Sequence, residues 1–227
     1  MFLTLAGLGV ARAAGAAHAH GGMGGDRAAQ AELGAQAAFD AKGVLWAAHK
    51  VSGHIAVSRS EDLGRTWLNP VLVTPAPEQT DTGADARPKI ALGPGGGIYV
   101  TWTRPMTKPY TGEIKFSRSV DGGRSFSAPV VVHRDRQEIT HRFDSIAVNT
   151  KGQVIVAWID KRDLMAAATA KGPAYRGAAV YFAVSDDHGA TFRGDYKLAD
   201  NSCECCRIAL VCHADGGVTA RPERKGP

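Results

Sequence analysis

The sequence predicts an all-β fold built from repeated four-stranded antiparallel sheets, and three observations lead to this prediction. Short segments rich in Val, Ile, Tyr, Phe and Trp alternate with turns rich in Gly, Pro, Asn and Asp. One turn pattern, S-x-D-x-G-x-[ST]-[WF], occurs three times, at 60–67, 119–126 and 185–192. The first serines of these turns are 59 and 66 residues apart, a spacing in the range of repeat architectures that include propeller blades. The prediction is therefore a β-propeller.

Each repeat is predicted to supply four strands in chain order. Two strands joined by a Gly turn come first, the third strand leads into the S-x-D-x-G turn, and the fourth follows it. Matching two-strand stretches occur at Ile90–Trp102 and Ile146–Trp158, with a weaker copy at Ala37–His49 and the start of a fourth at Ile208–Ala220. The Ala-rich stretch 163–172 is the best candidate for helix and is predicted to be an insertion. We expect about three blades and the start of a fourth over residues 37–217.

The residues of the three turns are expected to have a structural role. The Ser and Asp can form hydrogen bonds inside the turn, the Gly can adopt positive φ, and the aromatic ring can pack beneath the turn. A residue that occurs once per repeat is better explained as a folding device than as a catalytic group. These residues are Ser60, Asp62, Gly64, Trp67, Ser119, Asp121, Gly123, Phe126, Ser185, Asp187, Gly189 and Phe192.

The repeated turn resembles the Asp-box, or BNR, repeat of the sialidase (neuraminidase) superfamily, and the resemblance covers most of Ala37 to Cys212. It implies a six-bladed propeller with these turns on the outside, remote from the active site. In sialidases three inner-strand arginines hold a carboxylate, an Asp is the acid or base, and a Tyr paired with Glu is the nucleophile. The resemblance thus implies binding of an anionic glycan or similar ligand, with exo-α-sialidase or other glycoside hydrolase activity in the full-length parent. The alternative is a non-catalytic binding or interaction module of the cell envelope.

An arginine stands just before the first strand of three successive repeats, and repeat symmetry places all three on one rim near the axis. These arginines are Arg87, Arg142 and Arg207. Planar guanidinium groups suit a sugar carboxylate, although such arginines can also bond inner-strand carbonyls or neighbouring acids. The acid candidates on this rim are Asp85, Asp144 and Glu204, with Asp160 at the end of a second strand. No tyrosine is assigned as nucleophile, because Tyr99, Tyr181 and Tyr196 fall in predicted strands, and Tyr110 and Tyr175 lie in predicted loops with no identifiable partner.

The four cysteines lie in one short segment, at Cys203, Cys205, Cys206 and Cys212. Disulfides are favoured over a metal site, because C-x-C-C lacks the C-x-x-C spacing of zinc knuckles. The His-rich tract 18–25 is a candidate copper ligand set, with a merely flexible leader as the alternative. We expect neither a bound metal nor a cofactor.

The N-terminal and C-terminal segments lie outside the repeats. Residues 1–19 contain an apolar run and small-x-small sites typical of a secretory signal peptide, which predicts a periplasmic or extracellular protein. A Gly/Ala-rich leader is predicted over 20–36. Residues 218–227 show no strand pattern, which suggests a truncated or frame-shifted chain or one completed by a partner. An open sheet edge there could associate with another chain.

Charge and hydropathy argue against two classes of partner. The chain has 27 Lys plus Arg and 22 Asp plus Glu, a formal net charge of +5. The basic residues are scattered instead of clustered, so no nucleic-acid partner is expected. No stretch after the N-terminal segment approaches the roughly 20 apolar residues needed to cross a bilayer, so no membrane span is expected.

Overall fold

The computed structural model describes residues 34–83, 86–169, 175, 177–204 and 207–222, and they form three four-stranded antiparallel sheets and one two-stranded sheet. Blade 1 contains β1 (Gln36–Phe39), β2 (Leu45–Val51), β3 (His54–Ser60) and β4 (Val71–Leu72). Blade 2 contains β5 (Lys89–Leu92), β6 (Ile98–Pro105), β7 (Gly112–Ser119) and β8 (Val130–Val131). Blade 3 contains β9 (His141–Val148), β10 (Val154–Asp160), β11 (Ala178–Ser185) and β12 (Arg193–Ser202). The half-blade contains β13 (Ile208–Cys212) and β14 (Val218–Pro222).

The strands of each blade are hydrogen-bonded in chain order, as a meander. In blade 3, Val154 is opposite Ser185 at one end of the strands, while Asp160 is opposite His141 and Ala179 at the other end. The three repeated turns lie at the first end, and the opposite end of the blades is called the rim below. The all-β propeller fold predicted from the sequence is confirmed, and the sheets described here do not close a ring.

The blades pack face to face through the middle of each sheet. All seven residues of β10 are buried, because its side chains alternate between two neighbours. Val156 and Trp158 belong to the same core as Phe116 of blade 2, while Ile159 packs with Ile208 of the half-blade. The apolar run Val154–Ile159 of β10 is what a strand buried on both faces requires.

The three repeated turns have the local hydrogen bonds that the sequence predicted. In the second turn, Ser119 Oγ donates to Asp121 Oδ1 at 2.7 Å and accepts the Gly123 N–H at 2.8 Å. Asp121 also accepts the Ser125 hydroxyl at 2.6 Å and its N–H at 3.0 Å. The first and third turns repeat this arrangement. The hydrogen bond from Thr66 contributes most to lowering the pKa of Asp62 to about 2. These carboxylates are occupied by their own turns, as expected of structural groups.

The turns also join neighbouring blades, which the sequence did not predict. Gly189 has φ +80°, and a Cβ on it would lie 2.5 Å from Cζ of Phe116 in the preceding blade. Phe192 contacts the same Phe116 ring edge-on, with 4.9 Å between ring centroids. Phe126 packs on the core that blades 1 and 2 share. Trp67 of the first turn is 44% exposed. The aromatic residues of the second and third turns therefore fasten each blade to the one before it.

The boundaries differ from expectation at both ends of the repeat region. The prediction that no strand follows residue 217 is wrong, because Val218–Pro222 forms β14, whose Val218 and Thr219 are opposite Cys212 and Val211. Gln36, assigned to the leader, begins β1. The helix α1 (Arg162–Thr169) overlaps the predicted insertion and begins one residue before it. The predicted signal peptide and His-rich tract lie outside the described residues. No helix in the described part of the chain is long and apolar enough to span a bilayer.

Candidate ligand-binding site

The first strands of the four sheets lie next to one another and surround a small pocket. Contacts join β1 to β5, β5 to β9 and β9 to β13, and Gln36 Oε1 accepts the Ile90 N–H at 2.8 Å across the first of these junctions. The pocket has a volume of about 160 Å³. Its polar lining residues are Gln36, Arg87, Lys89, Asp144, Ser145 and Arg207. We call it the axial pocket, because all of these residues lie on or immediately before first strands.

The axial pocket gathers three cationic side chains around one carboxyl group. Two of the predicted arginines, Arg87 and Arg207, line it together, although 120 residues separate them in the chain. Lys89 adds a third cation. Guanidinium groups present fixed N–H forks that match the two oxygens of a carboxylate or the oxygens of a sulfate. The lining therefore favours an anionic ligand.

Asp144 is a fixed part of this pocket. Its side chain is buried and accepts hydrogen bonds from Thr101 Oγ1 at 2.5 Å and Thr103 Oγ1 at 3.3 Å, both on β6. Burial raises its pKa, because a low-dielectric surrounding disfavours the charged form. The two threonines therefore hold the Asp144 carboxyl group in place in the wall of the pocket.

Arg142 is placed differently from the other two arginines. Its guanidinium binds the carboxylate of Asp81, with Nε 3.0 Å from Oδ2, and lies 4.8 Å above the Phe143 ring. The strand pairing shifts by one residue here, since Ala157 is opposite Ser145 but Ile159 is opposite Arg142. Phe143, which lies at this shift in the pairing, has a positive φ of +56°. This bulge changes the direction of the side chains of β9. Of the three arginines expected to share one pocket, Arg87 and Arg207 line it and Arg142 does not.

The predicted acids and tyrosines do not form a catalytic set in the described structure. Glu204 pairs with Lys161, and Asp85 lies outside the described residues. Tyr99, Tyr181 and Tyr196 are in β6, β11 and β12 as predicted. None of the described tyrosines lines the axial pocket. Burial and a 2.9 Å hydrogen bond to Asp163 raise the pKa of Tyr181 to about 12, so this phenol stays protonated at neutral pH.

A second ionisable cluster lies at the rim between blades 2 and 3, and Asp160 is the one member that was a candidate from the sequence. Arg162 Nη2 donates to Asp160 and to Asp195, each at 2.7 Å. Asp160 also accepts the indole N–H of Trp158 at 2.8 Å. The remaining members are His133, Asp135 and His141. We call this cluster the rim network.

Two histidines of the rim network stack on each other. The rings of His133 and His141 are 3.9 Å apart and nearly parallel. His133 Nε2 accepts the Ile114 N–H at 3.2 Å, and its Nδ1 lies 2.6 Å from the Asp135 carbonyl oxygen. Burial, together with the charge of His141, lowers the pKa of His133 to about 3. The geometry therefore requires a neutral His133 with its proton on Nδ1.

The structure differs from the disulfide expectation at Cys212. The Cys212 thiol donates to the Val148 carbonyl oxygen at 3.3 Å and forms no disulfide. Burial raises its pKa. Cys205 and Cys206 lie outside the described residues. Within the described ranges, no group of three or more His, Cys, Asp or Glu side chains is arranged to hold a metal ion.

Three polar residues of the axial pocket, Gln36, Lys89 and Ser145, were not predicted from the sequence. Lys89 could have been found, because residues two apart in a strand point to the same face, and Lys89 follows Arg87 at that spacing. Gln36 had no signal, since it precedes the first recognisable strand pattern. Whether such a residue lines the pocket depends on how the sheets are arranged around the axis.

No protein-family model and no curated protein sequence matches this chain. Solved structures do resemble it. The NanB sialidase from Streptococcus pneumoniae is 16% identical, with a TM-score of 0.51 over 82% of this chain and 26% of that one. The α-L-arabinanase of Penicillium chrysogenum is 16% identical, with a TM-score of 0.50 over 77% of this chain and 51% of that one. A protein of unknown function from Dyadobacter fermentans is 15% identical, with a TM-score of 0.50 over 83% and 61%.

These similarities concern the fold. The chain has the architecture of a sialidase-like β-propeller. It spans between about a quarter and three fifths of the length of the three structures.

Proposed function

We propose that this chain is part of an exported β-propeller protein that binds an anionic glycan, or a similar ligand with a carboxylate or sulfate, in the axial pocket. The observation that carries the proposal is the convergence of Arg87, Lys89 and Arg207 between four inner strands. The N-terminal sequence pattern supports export. The resemblance of the repeated turns to those of sialidases supports a sugar ligand.

The size of the pocket supports recognition of one charged group. Its volume of about 160 Å³ is below the range of roughly 300–1,000 Å³ for pockets that enclose a whole small molecule. A carboxylate with the adjoining part of one sugar ring fits this space better than an internal stretch of a polysaccharide. The proposal is therefore recognition of an acidic sugar or of an acidic group at a chain end.

Binding without catalysis is supported better than hydrolysis by the described residues. A glycosidase of this type needs a nucleophile and an acid within reach of the anomeric carbon. Asp144 is buried and held by two threonines, and no described tyrosine lines the pocket. Exo-sialidase or other glycoside hydrolase activity of the full-length parent is the alternative, and it requires residues beyond those described here.

Calorimetric titration with a sialic acid and with its neutral methyl ester tests the proposal. We expect the acid to bind and the ester to bind at least tenfold more weakly, because a charge-assisted hydrogen bond contributes about 1.5–3 kcal/mol. Arg207→Gln should lower the affinity for the acid by a similar factor. Arg65→Gln, at an exposed position of the first turn, is the matched control and should have no effect.

Two outcomes would contradict the binding proposal: equal affinity for acid and ester, or equal affinity of the Arg207→Gln variant and the unaltered protein. The hydrolase alternative is tested separately with a fluorogenic sialoside. Release of the fluorophore that depends on Arg207 would favour an enzyme, whereas retained binding without release would favour the binding module.

A further inference from the structure

A cavity of about 650 Å³ lies between blades 1 and 2, at the end of the blades where the repeated turns lie. Three loops line it: the β1–β2 loop with Asp40 and Lys42, the β5–β6 loop at 93–97, and the second turn with Gly122. Blades 1 and 2 each contain all four strands, so the cavity lies between two complete sheets. Its volume is within the range of roughly 300–1,000 Å³ for pockets that enclose a small molecule. We call it the turn-side cavity.

The corresponding place between blades 2 and 3 is filled by a side chain. His188 stands in the third turn where Gly122 stands in the second, directly before the turn glycine. Gly152 of the β9–β10 loop is buried there, and a Cβ on it would lie 2.8 Å from Cε1 of His188 and 3.6 Å from Cγ of Pro94. His188 therefore fills this end of the junction, where the loops of the two blades meet.

Glycine at position 122 leaves the turn-side cavity open. Gly96 corresponds to Gly152 in the repeat, yet it is exposed, and a Cβ on it would meet no atom within 4 Å. A Cβ on Gly122 would meet none either. The turn accepts a large side chain at this position, since His188 has a φ of +56° and Gly122 a similar φ of +72°. The cavity therefore results from one sequence difference between two turns of the same kind.

The charged groups that line the cavity are balanced. They are two cations and two anions, namely Lys42, Arg59, Asp40 and Glu61. Arg59 Cζ lies 5.7 Å from the centre of the Trp46 ring, and its Nη2 is 3.8 Å from Glu61 Oε1. Asp40 is fixed in the wall, because it accepts the Trp46 indole N–H at 3.0 Å and the Lys42 N–H at 2.9 Å. The formal charges cancel here, whereas the axial pocket gathers three cations.

This lining suits a ligand that carries hydroxyl groups and no charge. Each hydroxyl is both a donor and an acceptor, and the cavity offers guanidinium and ammonium donors beside carboxylate acceptors. The glycines of 93–97 expose backbone polar groups, while Leu92 and Ile98 provide apolar surface for the C–H groups of a sugar ring. A carboxylate or sulfate would gain little, because the two anions offset its attraction to the two cations.

We propose that the turn-side cavity binds a small neutral saccharide. The site is separate from the axial pocket, with which it shares no lining residue among those described. The hydroxyl groups of the ligand bond to Arg59 and Glu61 on the side of blade 1, and its ring lies against the 93–97 loop of blade 2. Gly122 is the residue that leaves room for it.

Amide chemical shifts of the ¹⁵N-labelled protein, titrated with maltose, lactose and cellobiose, test the proposal. We expect at least one of these neutral disaccharides to shift the signals of Gly95, Gly96 and Gly122 in a saturable manner. Gly122→His should weaken this binding at least about tenfold, because the imidazole would occupy the space as His188 does at the next junction.

Two control variants separate filling of the cavity from other effects. Gly122→Ala has the same positive φ but leaves the space open, so its affinity should stay within about threefold of that of the unaltered protein. Leu63→His places the same imidazole at the same position of the first turn, which is exposed and does not line the cavity. Its affinity should be unchanged.

The proposal is overturned if none of the three disaccharides shifts these signals at concentrations up to about 10 mM, or if Gly122→His binds as well as Gly122→Ala. It is also overturned if the disaccharide shifts only the amides of Lys89 and Ser145, because the ligand would then lie in the axial pocket. Sialic acid at the same concentrations should leave Gly95 and Gly122 unshifted, and a saturable shift of both would contradict a site for neutral sugars.

Discussion

At the scale of single residues, the turn glycines do more than permit positive φ. Gly122 and Gly123 are adjacent, with φ of +72° and +80°. A Cβ on Gly122 would meet no atom within 4 Å, whereas a Cβ on Gly123 would lie 2.7 Å from Cζ3 of Trp46 in blade 1. Comparison of the two glycines therefore separates the energetic cost of the backbone conformation from the energetic cost of a steric clash between blades.

Alanine substitution at each of these glycines gives different expected losses of stability. Gly122→Ala should lower the free energy of unfolding by about 1–2 kcal/mol, the cost of a left-handed conformation for a residue with a Cβ. Gly123→Ala should lower it by a further 1–3 kcal/mol or so, because overpacking displaces the Trp46 ring. Urea denaturation measures both. Equal losses would mean that Gly123 is required for its φ alone.

At the scale of structural elements, the rim network joins the end of β8 to the start of β9 and α1. The stacked His133 and His141 are surrounded by Asp135, Asp160 and Asp195, and by Arg136 and Arg162. His133 accepts a backbone N–H through Nε2, and protonation of that nitrogen removes the acceptor. This hydrogen bond, which holds the segment after β8 against β7 within blade 2, therefore depends on a neutral histidine.

This dependence predicts a loss of stability in acid. The pKa of His133 is lowered from 6.5 to about 3 in the folded protein, so the unfolded chain takes up the proton first as the pH falls. The stabilisation is complete above about pH 6.5 and is lost from there toward pH 3, at up to about 1.4 kcal/mol per pH unit for one proton. Urea denaturation at pH 7, 5.5 and 4.5 should show this slope.

Two substitutions identify the source of the slope. His133→Asn should reduce it, because the amide does not titrate. His213→Asn is the control, since His213 hydrogen-bonds Thr219 on the exposed side of the half-blade, and it should leave the slope unchanged. An unaltered slope in His133→Asn would assign the acid sensitivity to His141, whose pKa burial also lowers.

How much the sequence could predict depends on whether a feature is local. The repeated turns could be predicted in detail, since Ser119, Asp121 and Gly123 satisfy one another within five residues. The position of Arg142 could not, because a bulge at Phe143 redirects it and Phe carries no preference for positive φ. The rim network was missed because it gathers residues from 133 to 195 that meet only when two blades pack together.

At the scale of the whole molecule, the net charge of +5 is spread over the chain, while the axial pocket concentrates three cations where the inner strands meet. The arrangement of sheets, not the composition, creates the local positive potential. A pocket between low-dielectric walls focuses such a potential. Ligand binding at the axis should therefore respond to ionic strength far more than the scattered surface charge alone would suggest.

We expect the affinity for an acidic sugar to fall several-fold when the salt concentration rises from about 0.05 M to 0.5 M, because screening shortens the range of the attraction. Arg207→Gln should flatten this dependence by removing one of the three charges, whereas Arg65→Gln should preserve it. Titration of the acidic sugar at four sodium chloride concentrations measures the slope of affinity against salt concentration. A parallel titration with a bulky neutral osmolyte gives the comparison. A slope that is identical in the two variants would mean that the axial cations do not contact the ligand.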